Sequence, residues 1–328
     1  MTTPVVVMGL GEIGQAIAKA VLSLPELELV GAVDLAPERV GRPLSDVLRA
    51  ATPEIVITNV VEDVFRVAKG GVVLHATGSR LEHVVGEIEG VLRAGLSVVS
   101  TCEELACPWV RHPKIADHIE RLAHKRNVTV LGTGVNPGFV FDRLIATIGQ
   151  VVGKIERVHG IRIVDASNRR ASLQRKIGAG LSERDFHRGV EEGFVGHVGL
   201  MESAALAAMG VGHSVDEVDE EIVPVISETK QATLWGYVNP GDICGVRQVA
   251  RAFDEGREVA RLELTIALGA ANPHDEILVV GQPTITLQIP GGTPGDEATA
   301  WSVAHAAMIV GQGAEPGLIT VLDLPAGR

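Results

Sequence analysis

The sequence predicts an α/β protein: an N-terminal domain on a parallel sheet, followed by an α+β domain on a mixed sheet. Three observations predict it. Over the first 150 residues, roughly, short β-branched runs alternate with helical patterns, and strand–helix alternation means βαβ units and a parallel sheet. Those runs are short and apolar, as strands buried on both faces are. Further along, the strands lengthen and alternate in polarity, the mark of a partly antiparallel sheet with one face covered by helices.

The elements follow in order. Val5 to Met8 reads as the first strand, and Ile13 to Leu24 as a helix with Ile13, Ile17, Ala20 and Val21 on one face. Strands are predicted at Glu28 to Val33, Ile55 to Thr58, Val72 to His75, Ser97 to Ser100 and Thr129 to Leu131. Helices are predicted between them at Arg42 to Arg49, Glu62 to Lys69, Leu81 to Ala94 and Pro113 to Lys125. In the second part, Lys154 to Val164, Val246 to Ala252, Glu258 to Ala267 and Thr284 to Ile289 read as strands. Ser182 to Met209 reads as one helical stretch and Gly295 to Gln312 as an alanine-rich helix.

Composition narrows the function classes. Of 328 residues, 46% are hydrophobic but only 3% aromatic, so Val, Ile, Leu and Ala must fill the cores. A net charge of −12 argues against nucleic-acid or anionic-membrane binding through overall charge. No apolar run approaches the ~20 residues of a membrane span, and the N-terminus starts a strand without a basic presequence. The cytoplasm is the expected location. Cys102, Cys107 and Cys244 form no metal-ligand cluster, so reduced thiols and no metal are expected.

The first strand runs into Gly9-Leu10-Gly11-Glu12-Ile13-Gly14 and then a helix. In that context the glycine pattern is a dinucleotide fingerprint. Gly9 permits the tight turn, Gly11 leaves room for a pyrophosphate, and Gly14 lets the helix pack on the sheet. The helix start, through the amides at Glu12 and Ile13, offers partial positive charge to phosphate. This is the opening of a Rossmann domain. Asp34 lies 20 residues past Gly14, where a carboxylate accepts from the adenine ribose and repels a 2′-phosphate. The expected cofactor is therefore NAD. Arg39 and Arg42 leave NADP open as an alternative. Ala76, Thr77 and Gly78, after the strand ending at His75, are small enough to admit a nicotinamide ribose, or form an ordinary turn.

Where the strand ending at Ser100 stops, the chain reads Thr101-Cys102-Glu103-Glu104-Leu105-Ala106. Ligands of open α/β sheets sit outside the carboxyl ends of the strands. A carboxylate there suits a general base or a partner for a cationic intermediate; acidic residues at a solvated helix start would look the same. Gly134-Val135-Asn136-Pro137-Gly138-Phe139 has turn chemistry, with Asn136 able to bond a ligand. Arg162 lies on a strand and is able to clamp a carboxylate. His197 sits among glycines in Gly196-His197-Val198-Gly199, a place for a ligand or a structural histidine.

Together, the glycine fingerprint, Thr101-Cys102-Glu103-Glu104-Leu105, Gly134-Val135-Asn136-Pro137-Gly138-Phe139 and Gly196-His197-Val198-Gly199 resemble 2,4-diaminopentanoate dehydrogenase and the native amine dehydrogenases. These belong to the dihydrodipicolinate reductase-like superfamily. The resemblance spans most of the chain. It implies NAD(P)-dependent oxidative deamination of an amine, or reductive amination of a ketone or aldehyde with ammonia, by a homodimer. It implies a catalytic glutamate, mapped to Glu104 with Glu103 as the alternative, and substrate contacts from Asn136, Phe139, Arg162 and His197. A diamino acid is the alternative substrate. Dihydrodipicolinate reductase itself is the runner-up, but Val164-Asp165-Ala166-Ser167-Asn168-Arg169-Arg170 lacks its lysine, proline and Ser-Gly-Thr. An NAD-binding sensor without turnover would have no use for the paired glutamates. The expected domains are residues 1–140 for the dinucleotide and 141–299 for substrate and dimerisation, with 300–328 returning to the first.

Overall fold

The computed structural model describes residues 2–325 and 327. The chain divides into two units, residues 1–139 with 294–328, and residues 140–293.

In the first unit, β1 (Thr3–Met8), α1 (Glu12–Leu22), β2 (Leu27–Val33), α2 (Leu44–Leu48), α3 (Val61–Val67), β3 (Val72–His75), α4 (Leu81–Arg93) and β4 (Ser97–Ser100) follow one another. A 3-10 turn (Glu103–Ala106), α5 (Pro113–Arg126) and β5 (Thr129–Gly132) complete the N-terminal part. All sheet pairings are parallel, and the order is β14-β5-β4-β3-β1-β2, where β14 is Gly317–Ile319 near the C-terminus. Alternation along β1 sends Val6 and Met8 into a core with Val64, Val84, Ile88 and Ile119. Its opposite neighbours Val5 and Val7 are also buried, which is why the strand reads as a continuous apolar run.

The predicted strand at Ile55 to Thr58 is reduced to isolated bridges, Val33 to Thr58 and Pro43 to Val56. It lies beyond β2, bonded at Thr58 to β2 and over Ile55–Ile57 to the irregular segment Gly41–Leu44, with a single bridge to each, so no continuous ladder builds up.

In the second unit, α6 (Arg143–Gly149), β6 (Gly153–Asp165), α7 (Ala171–Lys176), α8 (Glu183–Glu191) and α9 (Leu200–Gly210) precede a run of strands. These are β7 (Glu217–Ile226), β8 (Gln231–Thr233), β9 (Gly236–Val238), β10 (Ile243–Asp254), β11 (Arg257–Ala267), β12 (His274–Gln282) and β13 (Ile285–Pro290). The main sheet has the order β13-β12-β6-β11-β10-β7. Only β6 and β11 pair in parallel; the other neighbours are antiparallel. Helix α9 packs on β7, β10 and β11. Val158, Gly160 and Arg162 of β6 point to the buried face, while His159, Ile161 and Ile163 remain half-exposed on the other.

The single helix expected over Ser182 to Met209 is two, α8 and α9. Between them Gly193, Gly196 and Gly199 all take positive φ, which no helix accommodates. Strands β7 and β12 were not predicted.

After the second unit, α10 (Gly295–Gly311) packs on α1, β3 and β4, and β14 pairs with β5. Among the described residues no helix is long and apolar enough to cross a membrane.

Candidate active site

Parallel strands bring their carboxyl ends to one edge of the first unit's sheet. The loops there are tied in series by backbone bonds. The amide of Gly9 donates to Val33 O (2.8 Å), Ala76 to Met8 O (2.8 Å), Thr101 to His75 O (2.9 Å) and Thr133 to Ser100 O (2.8 Å). The glycine loop, Asp34, Ala76–Gly78, the two glutamates and Asn136 therefore share this edge. Strand order changes direction at β1, with β2 on one side and β3 on the other, the crevice where dinucleotides bind.

The glycine loop fits such a ligand. A Cβ on Gly14 would stand 1.7 Å from Gly9 O, so this residue exists for helix–turn packing. Gly9 itself takes φ +89°. A Cβ on Gly11 would instead meet nothing within 4 Å: the space in front of it is open, at the N-terminus of the 11-residue α1, which Gly11 caps without a side chain. Glu12 is exposed and Ile13 half-buried beside it.

Asp34 is buried, and it ties the crevice together. It accepts from the amides of Leu10 (2.7 Å) and Ala36 (2.7 Å) and from Arg39 Nη1 (3.0 Å). Burial pushes its carboxyl upward, but the two amides and the guanidinium outweigh this and hold it below the ordinary value. A carboxylate offers about four acceptor sites, so three bonds leave room for a further hydroxyl. Leu35, next along, is 73% exposed.

The two glutamates part company. Glu104 is 2% exposed and held by three residues at the starts of two helices. It accepts from Leu81 N at the start of α4 (2.8 Å), from Arg80 Nη1 (3.2 Å) and at 3.0 Å from His112 Nε2, just ahead of α5. Glu103 is only partly buried and its carboxylate makes no hydrogen bond among the described residues. Neither Arg80 nor His112 was singled out in the sequence, because neither stands in a motif. Asn136 is buried and Phe139 39% exposed.

The remaining two candidates belong to the second unit. Arg162 is buried, and its Nη1 donates to both oxygens of Asp275 at 2.7 Å while Nη2 donates to Thr293 O at 2.7 Å. Its charge is matched inside the unit, which departs from the expected substrate clamp; β12, unpredicted, supplies the partner. His197 is half-buried, with its backbone pinned on both sides by Gln248 (N to Oε1 2.5 Å, Nε2 to O 3.0 Å). Among the described residues no group of three His, Cys, Asp or Glu side chains is placed to hold a metal.

Residues 139–328 match the family model of the 2,4-diaminopentanoate dehydrogenase C-terminal domain. The chain belongs to the 2,4-diaminopentanoate dehydrogenase family. It is an NAD(P)-dependent oxidoreductase. Over 338 aligned positions it is 29% identical to the 2,4-diaminopentanoate dehydrogenase of Acetoanaerobium sticklandii, covering 99% of this chain and 94% of that one. Among solved structures it is similar in fold to an amine dehydrogenase from Mycobacterium smegmatis (TM-score 0.87, 21% identity, 99% and 96% of the two chains). A dipicolinate-bound dihydrodipicolinate reductase from Paenisporosarcina sp. shares the fold more distantly (TM-score 0.52, 16% identity, 96% and 97%). The fold of this 2,4-diaminopentanoate dehydrogenase family member is thus the expected one: a Rossmann-like parallel sheet with a second, mixed sheet.

Proposed function

We propose that this chain is an amine dehydrogenase, interconverting a primary amine with a ketone or aldehyde and ammonia. The observation that carries the reading is the glutamate pair at the carboxyl end of β4, one carboxylate locked and its neighbour open. Gly9, Gly11, Glu12, Ile13 and Gly14 would hold the pyrophosphate of the cofactor, Asp34 and Arg39 the adenine ribose, and Ala76, Thr77, Gly78 and Asn136 the nicotinamide side. Bound NAD(P) supplies the hydride chemistry. The lowered Asp34 carboxyl supports NAD as the preferred form, with Arg39 the group that would tolerate NADP.

The open carboxylate suits the acid–base work, so the substrate-facing role goes to Glu103 and Glu104 fixes the loop. In the oxidative direction Glu103 takes a proton from the substrate ammonium, freeing the nitrogen lone pair. Once that proton has passed to solvent, the restored negative charge stabilises the cationic iminium that hydride transfer to the bound cofactor would leave on the substrate. Water adds to the iminium carbon, the carboxylate moves one proton of that water to nitrogen, and it takes the remaining hydroxyl proton as ammonia departs and the carbonyl forms. Phe139 of the first unit and His197 of the second are each assigned a substrate contact on the family resemblance. A diamino acid is the second reading, favoured by the sequence relative; the internal pairing of Arg162 removes the residue expected to hold its carboxylate.

The half-exposed face of the mixed sheet, with Ile161, Ile163 and Leu278 beside His159 and Glu263, supports a homodimer formed there by a second copy. A cytoplasmic location fits the free thiols.

The test follows NADH and NADPH oxidation with a panel of ketones and aldehydes, with and without excess ammonium. Ammonium-dependent oxidation is expected. Oxidation without ammonium would make the protein a carbonyl reductase instead.

A further inference from the structure

Beneath the crevice lies a polar chain, buried at His75 and Ser100, that the glutamate loop and the nicotinamide-side loop share. His75, the last residue of β3, and Ser100, the last of β4, are both 0% exposed, with His75 Nδ1 2.7 Å from Ser100 Oγ. Ser100 Oγ accepts the amide of Cys102 at 3.0 Å, the residue immediately before Glu103. On the other side of the ring, Nε2 lies 2.7 Å from Thr77 Oγ1 and 3.0 Å from Glu87 Oε2 of α4. Thr77 Oγ1 donates to Glu87 at 2.6 Å. Because the threonine hydrogen goes to the carboxylate, its oxygen is left to accept, which puts the ring proton on Nε2 and leaves Nδ1 to accept from the serine hydroxyl. The chain then runs in one direction: Cys102 N–H to Ser100, Ser100 O–H to His75, His75 N–H to Thr77 and Glu87. The Glu87 carboxyl is held below its ordinary value, first by the His75 hydrogen bond, with partial burial opposing and the Thr77 hydroxyl adding to it.

Serine, histidine and glutamate in hydrogen-bond series have the order of a nucleophilic triad. Here the serine is sealed from solvent and its oxygen is occupied by a backbone amide, so it has no path to a substrate. The connection is between loops. One end of the chain is Thr77, in the loop assigned to the nicotinamide ribose. The other is the amide that sets the start of the turn carrying Glu103. With its buried members His75 and Ser100 satisfied, such a network rigidifies what it joins, and a misplacement of ~1 Å at a reacting group costs on the order of a hundredfold in rate.

We propose that Ser100 and His75 are positioning residues that hold the Glu103 turn in register with the Thr77 loop, so that the carboxylate and the cofactor meet the substrate nitrogen and carbon together. The inference rests on Glu103 as the acid–base group.

The test is steady-state kinetics of full-length Ser100→Ala, Ser100→Thr and Glu87→Gln, alone and with Glu103→Gln, with cofactor affinity measured by NADH fluorescence. Ser100→Ala should lower kcat at least tenfold while the NADH Kd stays within about twofold, and Ser100→Thr, which keeps the hydroxyl, should restore most of the rate. Glu87→Gln, at the half-exposed outer end, should lower kcat in the same direction and folds even if the serine variant does not. In the Glu103→Gln background, Ser100→Ala should add nothing to the loss. An unchanged kcat in Ser100→Ala and Glu87→Gln, or a further equal loss from Ser100→Ala in the Glu103→Gln background, would overturn the positioning role. Full turnover by Glu103→Gln alone would instead remove the Glu103 assignment, and the proposal with it.

Discussion

Arg162 Nη1 reaches both carboxylate oxygens of Asp275 at 2.7 Å, across a pair of antiparallel strands and 113 residues of chain. Both side chains are nearly inaccessible, and the Asp275 oxygen also accepts the Thr293 amide at 2.7 Å. Removing one partner of a buried pair leaves an uncompensated charge, a loss of about 3–5 kcal/mol. Asp275→Ala should lower unfolding stability by that amount in urea titrations. Replacing both residues with apolar ones of similar volume should recover much of it. A fully stable Asp275→Ala would mean that the pair is wet or redundant.

Glu103→Gln should reduce kcat by roughly 10²–10⁴, the range for a lost general acid–base group, and leave cofactor affinity nearly intact. Glu104→Gln should reduce thermal stability, since Arg80 and His112 lose a charged acceptor, and cut kcat less. Kinetics and melting curves on the two variants decide the assignment; a dead Glu104→Gln beside an active Glu103→Gln would reverse it.

Gly14→Ala and Gly11→Ala should fail differently. The first forces a methyl against Gly9 O and should destabilise the fold. The second meets open space, so the melting temperature should hold while NADH Kd rises at least tenfold, about 1.4 kcal/mol. Paired melting and fluorescence titrations read both; unchanged affinity in Gly11→Ala would remove the pyrophosphate from that space.

Glu263 on the open sheet face gives a pH dependence. Burial pushes its carboxyl up, but Arg261 and Arg247 outweigh burial and hold it at about 2, against an ordinary 4.5. A depressed folded-state value adds stability that is complete above about 4.5 and is lost as pH falls towards 2. The melting temperature should drop across that window, and Glu263→Gln should flatten this part of the drop. An identical profile in the variant would assign the acid sensitivity to other carboxylates.

Much of the first unit was legible in the sequence because its signals are local. The run into Gly9, Gly11 and Gly14, the acid at Asp34 and the paired glutamates each act over a few residues, where periodicity, turn chemistry and helix starts operate. The glycines between α8 and α9 are legible too, but the apolar pattern around them predicts continuous helix; three positive-φ residues in seven overrule it. The segment Ile55 to Thr58 has the composition of a strand but makes only isolated bridges to its neighbours, Val33 and Pro43.

By itself the sequence determined the parallel sheet, the dinucleotide crevice, the pairing of two glutamates at a strand end and the family resemblance. Tertiary structure alone decided which glutamate is locked and which is open, that Arg162 is matched by Asp275, and that His75 joins two loops through Ser100 and Thr77. The reason is physical. A side chain's charge state and freedom depend on partners brought to it by sheet register and helix packing, from 8 to 113 residues away, and no local pattern encodes which of them arrives.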